Sequence, residues 1–436
     1  MKTLAESPRL RLLTLSVLYV SQGIPFGFVT IALAAHLSTL GWTIGEIGFM
    51  MGMCTLPWSF KWMWGPIIDR FGIPSMGRRR PWILGAQGMM GLTILAMLLI
   101  PDLIANPKLV GMMVFVHNCF SSLQDVSVDA LAVDLLEDGE RGRANGFMYG
   151  SSYLGAFIGG AGLGLIITTC GLTTALIVQG IVLLLIMLWP FCTLERPGDC
   201  RMPWSHAVDQ QLNPRMREPA NKSTRELFRN LYYALSRPAA LVSVILALSV
   251  KLGIGMLSAV SVVFLIQTLG WTQEEYTSIT AGGGLIFGFG GAIAGGFIAD
   301  YFGPRLVALW VSVLLGLTWI IFASGADYWH YRSFVAIILY AEILLAAILS
   351  VALFSIFMSV SWSVVAATQF TVYMACLNLS NTCGAWFAGF VGSRMSVIDM
   401  YLTAGVLQIV LVVLLKWTYL PAKEVLQVEN AFNAKD

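Results

Sequence analysis

Charged residues are scarce in this sequence. Only 11% of its 436 residues are Asp, Glu, Lys or Arg, whereas a soluble domain carries about 25%. This scarcity excludes a soluble enzyme, a secreted disulfide scaffold and a disordered chain, because each of these needs a polar surface. A membrane-spanning helix needs about 20 apolar residues, and 57% of the chain is hydrophobic. The composition therefore suffices for about twelve such helices.

The sequence also lacks the motifs of metal sites and of membrane-embedded catalysis. Its seven cysteines include no Cys-x-x-Cys pair, so neither a disulfide framework nor a zinc site is indicated. No His-Glu-x-x-His, Gly-x-Ser-x-Gly or phosphate-binding loop is present. We therefore expect no enzyme activity, no metal and no cofactor. A net charge of +2 also gives no reason to expect nucleic acid as a partner.

Apolar runs divide the chain into two groups of six. Helices 1 to 6 are predicted at about 10–37, 45–68, 81–100, 109–133, 144–169 and 172–194, and helices 7 to 12 at about 238–268, 275–299, 303–324, 332–358, 365–390 and 396–419. The pattern predicts an all-α integral membrane protein with six-helix domains at 1–194 and 238–420, a linker at 195–237 and a tail at 421–436. Leucines at helical spacing predict a short amphipathic helix at 224–235 in the linker.

The basic residues predict how the chain is oriented in the lipid bilayer. If the N-terminus is cytoplasmic, 21 of the 26 Lys and Arg residues lie on the cytoplasmic side, and only Lys108, Arg332 and Arg394 lie on the other. Cytoplasmic loops are enriched in Lys and Arg. We therefore expect both termini and the linker in the cytoplasm.

The two halves carry the same signature at a fixed offset. Residues 39–43 read Thr-Leu-Gly-Trp-Thr and recur at 268–272, which is 229 positions later, and Gly155 recurs as Gly384 at the same offset. Such repeats place a substrate near the bilayer midplane and allow alternating access by rocking of one half against the other. A channel or a membrane enzyme does not need this symmetry, whereas a carrier does.

The loop between helices 2 and 3 contains a further signature. Residues 65–72 read Gly-Pro-Ile-Ile-Asp-Arg-Phe-Gly, and 77–80 read Gly-Arg-Arg-Arg. This pattern resembles the loop motif of the major facilitator superfamily, and a weaker copy spans 296–305. An acidic residue at a helix end can pair with arginines and hold the cytoplasmic loops in one conformational state. Alternatively, the arginines only keep this loop on the cytoplasmic side of the membrane. The candidate ion-pair and gating residues are Asp69, Arg70, Arg78, Arg79, Arg80, Asp300 and Arg305.

Segments of helices 1, 2 and 4 resemble one branch of this superfamily. Residues 21–27, 56–61 and 122–130 are similar to the branch that contains AmpG-type muropeptide permeases and acetyl-CoA transporters. Members of the branch also take up siderophores. The resemblance implies twelve transmembrane helices in two pseudo-symmetric six-helix bundles, with helices 1, 4, 7 and 10 around a central cavity.

Three ionisable residues are predicted at mid-membrane depth in the first half. Asp125 and Asp129 lie one turn apart on helix 4, and Lys61 lies at the depth of Asp125 on helix 2. A charged residue at mid-helix costs about 2.5 to 3.5 kcal/mol, so each needs a partner or a function. The alternatives are a static pair of Lys61 and Asp125, or a carboxylate (Asp125 or Asp129) that takes up a proton during transport.

Candidate substrate-binding residues follow from the predicted cavity. Lys251 lies 229 positions after Gln22, so the two are predicted at symmetry-related sites, where Lys251 would attract an anion and Gln22 would bind a polar group. A static bridge from Lys251 to Glu342 is the alternative. The full set of candidates is Gln22, Lys251, Glu342, Asn118, Tyr149 and Trp386.

The sequence thus predicts a monomeric secondary carrier of a bacterial inner membrane. It would import an anionic or amphipathic small molecule by proton symport, with a muropeptide-like compound as the leading cargo. A siderophore importer or substrate exchanger of the same fold is the alternative. A membrane sensor that does not transport is the alternative from a different class.

Overall fold

The computed structural model describes residues 3–136, 141–204, 224–362 and 365–418, and its regular structure over these ranges is helical. The first half has helix 1 (Pro8–Thr39), helix 2 (Ile44–Ser59 and Trp64–Arg70), helix 3 (Arg80–Leu99), helix 4 (Pro107–Leu135), helix 5 (Arg141–Phe157 and Leu163–Cys170) and helix 6 (Leu172–Cys192). A linker helix (Thr224–Leu235) follows. The second half has helix 7 (Pro238–Thr268), helix 8 (Gln273–Phe302), helix 9 (Pro304–Ser324), helix 10 (Arg332–Val360), helix 11 (Ala366–Val391) and helix 12 (Val397–Lys416).

Nine of these helices, within the described part of the chain, are long and apolar enough to cross a membrane. Helices 4 and 11 have 29 and 26 residues but carry more polar side chains, and helix 2 is interrupted. Large apolar side chains such as Leu185, Phe297 and Tyr301 point outward and are exposed. Exposed apolar side chains of this size suit lipid rather than water.

The repeated sequence Thr-Leu-Gly-Trp-Thr forms the same turn in both halves. Gly41 and Gly270 have φ angles of +88° and +66°, a left-handed backbone that favours glycine. The threonine that follows each turn begins a helix through a capping box, Thr43 with Glu46 in helix 2 and its counterpart in helix 8. The two halves therefore share this turn in structure as well as in sequence.

The bundle has two ends, which we call the linker face and the opposite face. The linker face holds the start of helix 1, the loop between helices 2 and 3, and the linker helix. At the opposite face the two halves contact each other, because Gln267 of helix 7 donates to the carbonyl oxygens of Ser38 and Trp42, each at 2.9 Å. Helix 2 packs on helix 11 there, and helix 5 packs on helix 8. The opposite face is thus closed between the halves.

Two helices are broken where the apolar runs predict continuous ones. Helix 2 passes through a 3-10 turn at Lys61–Met63, a few residues after Pro57, which cannot donate to the helical ladder. Helix 7 breaks between Ser249 and Leu252, where the N–H of Lys251 donates to the hydroxyl of Ser380 in helix 11. Lys61 and Lys251 therefore both lie at helix breaks.

Candidate transport site

The predicted ion pair between helices 2 and 4 is present. Nζ of Lys61 lies 2.9 Å from Oδ2 of Asp125, and their side chains are 17% and 6% exposed. The break in helix 2 frees the Lys61 side chain to cross to helix 4, and its ammonium also lies 5.7 Å from the ring of Trp58. The pair compensates one positive and one negative charge inside the membrane.

The second carboxylate of helix 4 has a different partner. The hydroxyl of Tyr19 in helix 1 donates to Oδ1 of Asp129 at 2.5 Å. Tyr149 of helix 5, which is half exposed, lies within electrostatic range of Lys61 and of both aspartates. The cluster therefore contains one ammonium and two carboxylates. Asp129 is the carboxylate of this cluster that forms no ion pair with a described residue.

Gln22 belongs to a buried polar network rather than to an open surface. Its amide donates to Oε1 of Gln124 at 2.7 Å, and Gln124 in turn donates to Ser21 and Gln87. Gln87 donates to the carbonyl oxygen of Leu183. These bonds join helices 1, 3, 4 and 6, so Gln22 stabilises the packing of the first half in this conformation.

Asn118 and Trp386 lie in contacts near the middle of the bundle. Asn118 is buried, donates to the carbonyl oxygen of Val114 and accepts from the indole of Trp58. Trp386 of helix 11 lies against Gly52 of helix 2, and its buried Nε1 has no hydrogen-bond partner among the described residues. Both side chains are therefore committed to helix packing in this conformation.

The second half holds two ionisable groups that do not meet. The ammonium of Lys251 forms no ion pair with any described residue, and its backbone begins the half-helix Leu252–Val263. Glu342 of helix 10 instead lies beside Trp319, Tyr276 and Tyr401. The alternative interpretation of a static bridge from Lys251 to Glu342 is therefore wrong for this conformation.

The arginines after helix 2 bind the ends of other helices. Nε of Arg79 lies 2.9 Å from Oδ2 of Asp134 at the end of helix 4. The guanidinium of Arg80 donates to three carbonyl oxygens at the end of helix 6 and beyond it, those of Pro190, Phe191 and Cys200, at 2.6 to 2.7 Å. A cation at a helix C-terminus is favourable. This loop is therefore tied to helices 4 and 6.

Glu195, the third residue after helix 6, completes this arrangement. Its carboxylate accepts from the backbone N–H groups of Arg79 and Arg80, at 3.0 and 3.3 Å, and so caps the N-terminus of helix 3. It is 1% exposed, and burial raises the pKa of its carboxyl group above the usual range, although the two N–H groups oppose the shift. Helices 3 and 6 thus cap each other through Arg80 and Glu195.

The remaining gating candidates lie at helix ends and in the loops that follow them. Arg70 is exposed and lies over the ring of Phe71, Arg78 is half-buried, and Asp300 is exposed and forms no ion pair with a described residue. The side chain of Asp69 lies outside the described part of the structure. Arg305 at the start of helix 9 donates to the carbonyl oxygen of Thr418 after helix 12. It thus repeats the capping role that Arg80 has in the first half.

Sequence reasoning missed three residues of this site. Tyr19 lies three residues before Gln22, on the same face of helix 1, and this spacing was the available signal. Asp134 lies on helix 4, four residues after the segment 122–130, and pairs with Arg79 of the arginine loop. Glu195 begins a polar linker, and nothing in its spacing indicates a cap. No group of three His, Cys, Asp or Glu residues that could hold a metal ion occurs in the described ranges.

Comparison with known proteins identifies the family. Residues 15–369 match the Major Facilitator Superfamily. The chain belongs to this superfamily. It is similar to the anhydromuropeptide permeases of Escherichia coli strain K12 and of Escherichia coli O157:H7, each 26% identical over 331 residues, which are 74% of this chain and 61% of the relative. The alignment thus spans less than two thirds of these relatives.

A solved structure supports the fold independently. A crystal structure of the nucleoside transporter NupG matches 94% of this chain and 100% of that chain with a TM-score of 0.70 at 12% sequence identity. Such low identity supports the fold alone. The chain is therefore a twelve-helix membrane protein of the major facilitator superfamily, similar in sequence to AmpG-type permeases.

Proposed function

We propose that this transporter is a proton symporter that imports an anionic small molecule by alternating access. In this proposal the six-helix domains 1–194 and 238–420 rock against each other around a site between them. We infer that the linker face is cytoplasmic, because the sequence predicts 21 of the 26 basic residues on that side of the membrane. The membrane is the inner membrane of a bacterium, as befits a relative of AmpG-type permeases. We expect a monomer.

The excess carboxylate at Asp129 is the observation that supports proton coupling. Lys61 compensates Asp125 at 2.9 Å, and Asp129 has a phenol as its partner. A phenol donates to an ionised carboxylate and accepts from a protonated one, so it suits both forms. Protonation of Asp129 would remove the uncompensated charge before the halves move, because an unpaired charge inside the membrane is costly.

The substrate class is inferred from Lys251. Its ammonium has no acidic partner among the described residues, and it begins the half-helix Leu252–Val263. Helix N-termini at breaks in transporter helices face anionic substrate groups. Anhydromuropeptides, the compounds named for the relatives from Escherichia coli, carry carboxylates, and we propose a compound of this kind as cargo.

Uptake into proteoliposomes tests the coupling. With a labelled anhydromuropeptide and an imposed proton gradient, Asp129→Asn is expected to abolish accumulation and to retain exchange of substrate across the membrane. Asp125→Asn is the comparison within the cluster, and Asp327→Asn, an exposed acidic residue in a loop, is the matched control. Gradient-driven accumulation by Asp129→Asn at the rate of the unmodified transporter would refute the coupling role.

Lys251→Met tests the substrate class separately. We expect weaker binding of the anionic muropeptide and little change for an analogue whose carboxylates are amidated. Equal affinity for the acid before and after the substitution would remove Lys251 from the site. Failure of the unmodified transporter to bind the muropeptide would refute the cargo.

A further inference from the structure

Helices 2 and 11 meet along one seam that joins the two halves of the chain. A Cβ atom at Gly48 would overlap the carbonyl oxygen of Ala385, and a Cβ atom at Gly52 would overlap the indole of Trp386. Small residues let two helix backbones approach this closely. The seam therefore holds helix 2 of the first half against helix 11 of the second while the opposite face is closed.

Polar contacts cross the seam nearer to the linker face. The hydroxyl groups of Thr55 and Thr382 lie 2.7 Å apart, and the two residues are 8% and 0% exposed. Further along, Nδ2 of Asn378 donates to the carbonyl oxygen of Trp58 at 3.5 Å, the long end of the hydrogen-bond range. The last four carbonyl oxygens of a helical segment have no partner within it, and the first segment of helix 2 ends at Ser59. Helix 11 thus caps this segment where helix 2 breaks.

The break that follows carries Lys61. The 3-10 turn Lys61–Met63 packs on helix 11 as well as on helix 4. From this turn the ammonium of Lys61 reaches Asp125 at 2.9 Å. The place of this cation in the first half therefore depends on a helix of the second half.

The matching seam between helices 5 and 8 is built from different residues. At the offset of 229 positions, the counterparts of Thr55 and Lys61 in helix 8 are Gly284 and Gly290. A glycine provides neither a hydroxyl group nor a cation. The hydroxyl pair therefore belongs to the seam that borders the ion pair of Lys61 and Asp125, which favours a role in placing that pair over a general role in joining the halves.

We propose that Thr382 and Asn378 of helix 11 are positioning residues, which hold Lys61 against Asp125 only while the opposite face is closed. When the opposite face opens, the halves part along this seam. Both hydrogen bonds across it then break, and the turn at Lys61 loses its support from helix 11. This inference rests on the alternating access and the proton symport proposed above.

The dependence gives the proposed symport its direction. The groups around the ammonium of Lys61 are the carboxylates of Asp125 and Asp129 and the phenols of Tyr19 and Tyr149. A cation close to carboxylates favours their ionised forms. Its placement while the opposite face is closed therefore favours loss of the proton from Asp129. The proton passes from the carboxyl oxygen to water on the linker side, and no other bond changes.

A double-mutant cycle of unfolding in detergent tests the positioning without any transport. The cycle combines Lys61→Met with Asp125→Asn and measures the coupling between these two side chains. When Thr382→Val and Asn378→Leu are present together, we expect this coupling to fall to about half, because the turn that carries Lys61 is no longer held. The hydroxyl of Thr55 also donates to a carbonyl oxygen of its own helix, so these substitutions do not leave it without a partner.

Three threonine variants serve as comparisons in the same cycle. Thr55→Val removes the hydroxyl pair from the other half and is expected to lower the coupling as well. Thr382→Ser keeps the hydroxyl group and is expected to retain the coupling. Thr318→Val is the matched control, because Thr318 is a buried threonine of helix 9 whose hydroxyl donates within its own helix. Unchanged coupling in the helix 11 variant and in Thr55→Val, or an equal fall in Thr318→Val, would overturn the proposal.

Transport by the variant with Thr382→Val and Asn378→Leu tests the consequence for proton coupling. With labelled anhydromuropeptide in proteoliposomes, we expect exchange near the rate of the unmodified transporter but several-fold lower accumulation under an imposed proton gradient. Equal losses of exchange and accumulation would overturn this inference and leave the symport standing. A lack of proton-driven accumulation by the unmodified transporter would instead refute the symport, and the unfolding cycle would then decide the positioning alone.

Discussion

The ion pair of Lys61 and Asp125 predicts that substitution of the lysine and substitution of the aspartate lower the free energy of unfolding by different amounts. At 2.9 Å two unit charges attract each other by about 6 kcal/mol at an effective dielectric constant of 20. Loss of hydration on burial offsets most of this attraction, so the pair as a whole adds little stability. Removal of one partner from such a pair costs about 3 to 5 kcal/mol, because the other charge is left buried and uncompensated.

The two single substitutions are not equivalent, because Asp129 lies in the same cluster. Lys61→Met leaves two carboxylates one turn apart without a cation, and we expect it to destabilise the protein by the full amount, about 4 kcal/mol. Asp125→Asn leaves Lys61 within range of Asp129, which replaces part of the lost attraction. We expect this variant to lose only about 1 to 2 kcal/mol.

The double variant completes a double-mutant cycle, which measures the coupling energy between Lys61 and Asp125. Lys61→Met combined with Asp125→Asn removes both charges of the pair and is expected to be more stable than Lys61→Met alone, with a coupling of about 2 to 3 kcal/mol. The assay is unfolding in detergent at constant pH, followed by tryptophan fluorescence, with Asp327→Asn as a matched exposed control. Lower pH should reduce the loss in Lys61→Met, since protonation relieves the repulsion. Equal losses in the two single variants, or additivity within about 0.5 kcal/mol, would refute this reasoning.

Three further predictions concern the helix caps and the close helix contacts. Burial raises the pKa of the Glu195 carboxyl group, so the folded protein binds this proton more tightly than the unfolded chain does. Stability is therefore lost as pH rises from the usual pKa of a glutamate through the raised value. Glu195→Gln should remove this dependence from thermal unfolding measured between about pH 4 and pH 8. Arg80→Met leaves three carbonyl oxygens without their donor and should lower the unfolding free energy by about 3 kcal/mol, which an equally stable variant would contradict. A Cβ atom at Gly155 would overlap the carbonyl oxygen of Val20 in helix 1, so Gly155→Ala should lower the free energy of unfolding by about 1 to 3 kcal/mol. Gly162→Ala on the same helix is the control and should be tolerated, because the nearest atom to its Cβ would be 4.0 Å away.

The parts of the fold that depend on composition were predictable from the sequence. Each apolar run has the length of a membrane helix, and the repeated turn at Gly41 and Gly270 fixed the relation between the halves. The pairing of Lys61 with Asp125 was also predictable, because it required only equal depth on neighbouring helices and opposite charge.

The parts that depend on helix rotation and on loop paths were not predictable. Depth along a helix does not reveal which side faces a neighbour, so Gln22 and Lys251 share a depth but not an environment. The partner of Asp129 is a tyrosine, whose polar end is a single hydroxyl group on an otherwise apolar ring. Glu195 and Arg80 meet only because the chain after helix 6 folds back on the loop before helix 3, and no local pattern encodes that path.

Five charged side chains predicted at mid-membrane depth, those of Lys61, Asp125, Asp129, Lys251 and Glu342, constrain what the carrier can move. Three of them are acidic and two are basic, so the fully ionised transporter carries one net negative charge in its core. Under the proposed function, a proton on Asp129 brings this charge to zero. A singly charged anion at Lys251 then adds one negative charge, and a doubly charged anion adds two. A neutral core is the state in which the halves reorient at the lowest electrostatic cost, because charge inside the membrane is poorly solvated. The charge inventory therefore predicts that a doubly charged substrate moves more slowly than its half-amidated analogue.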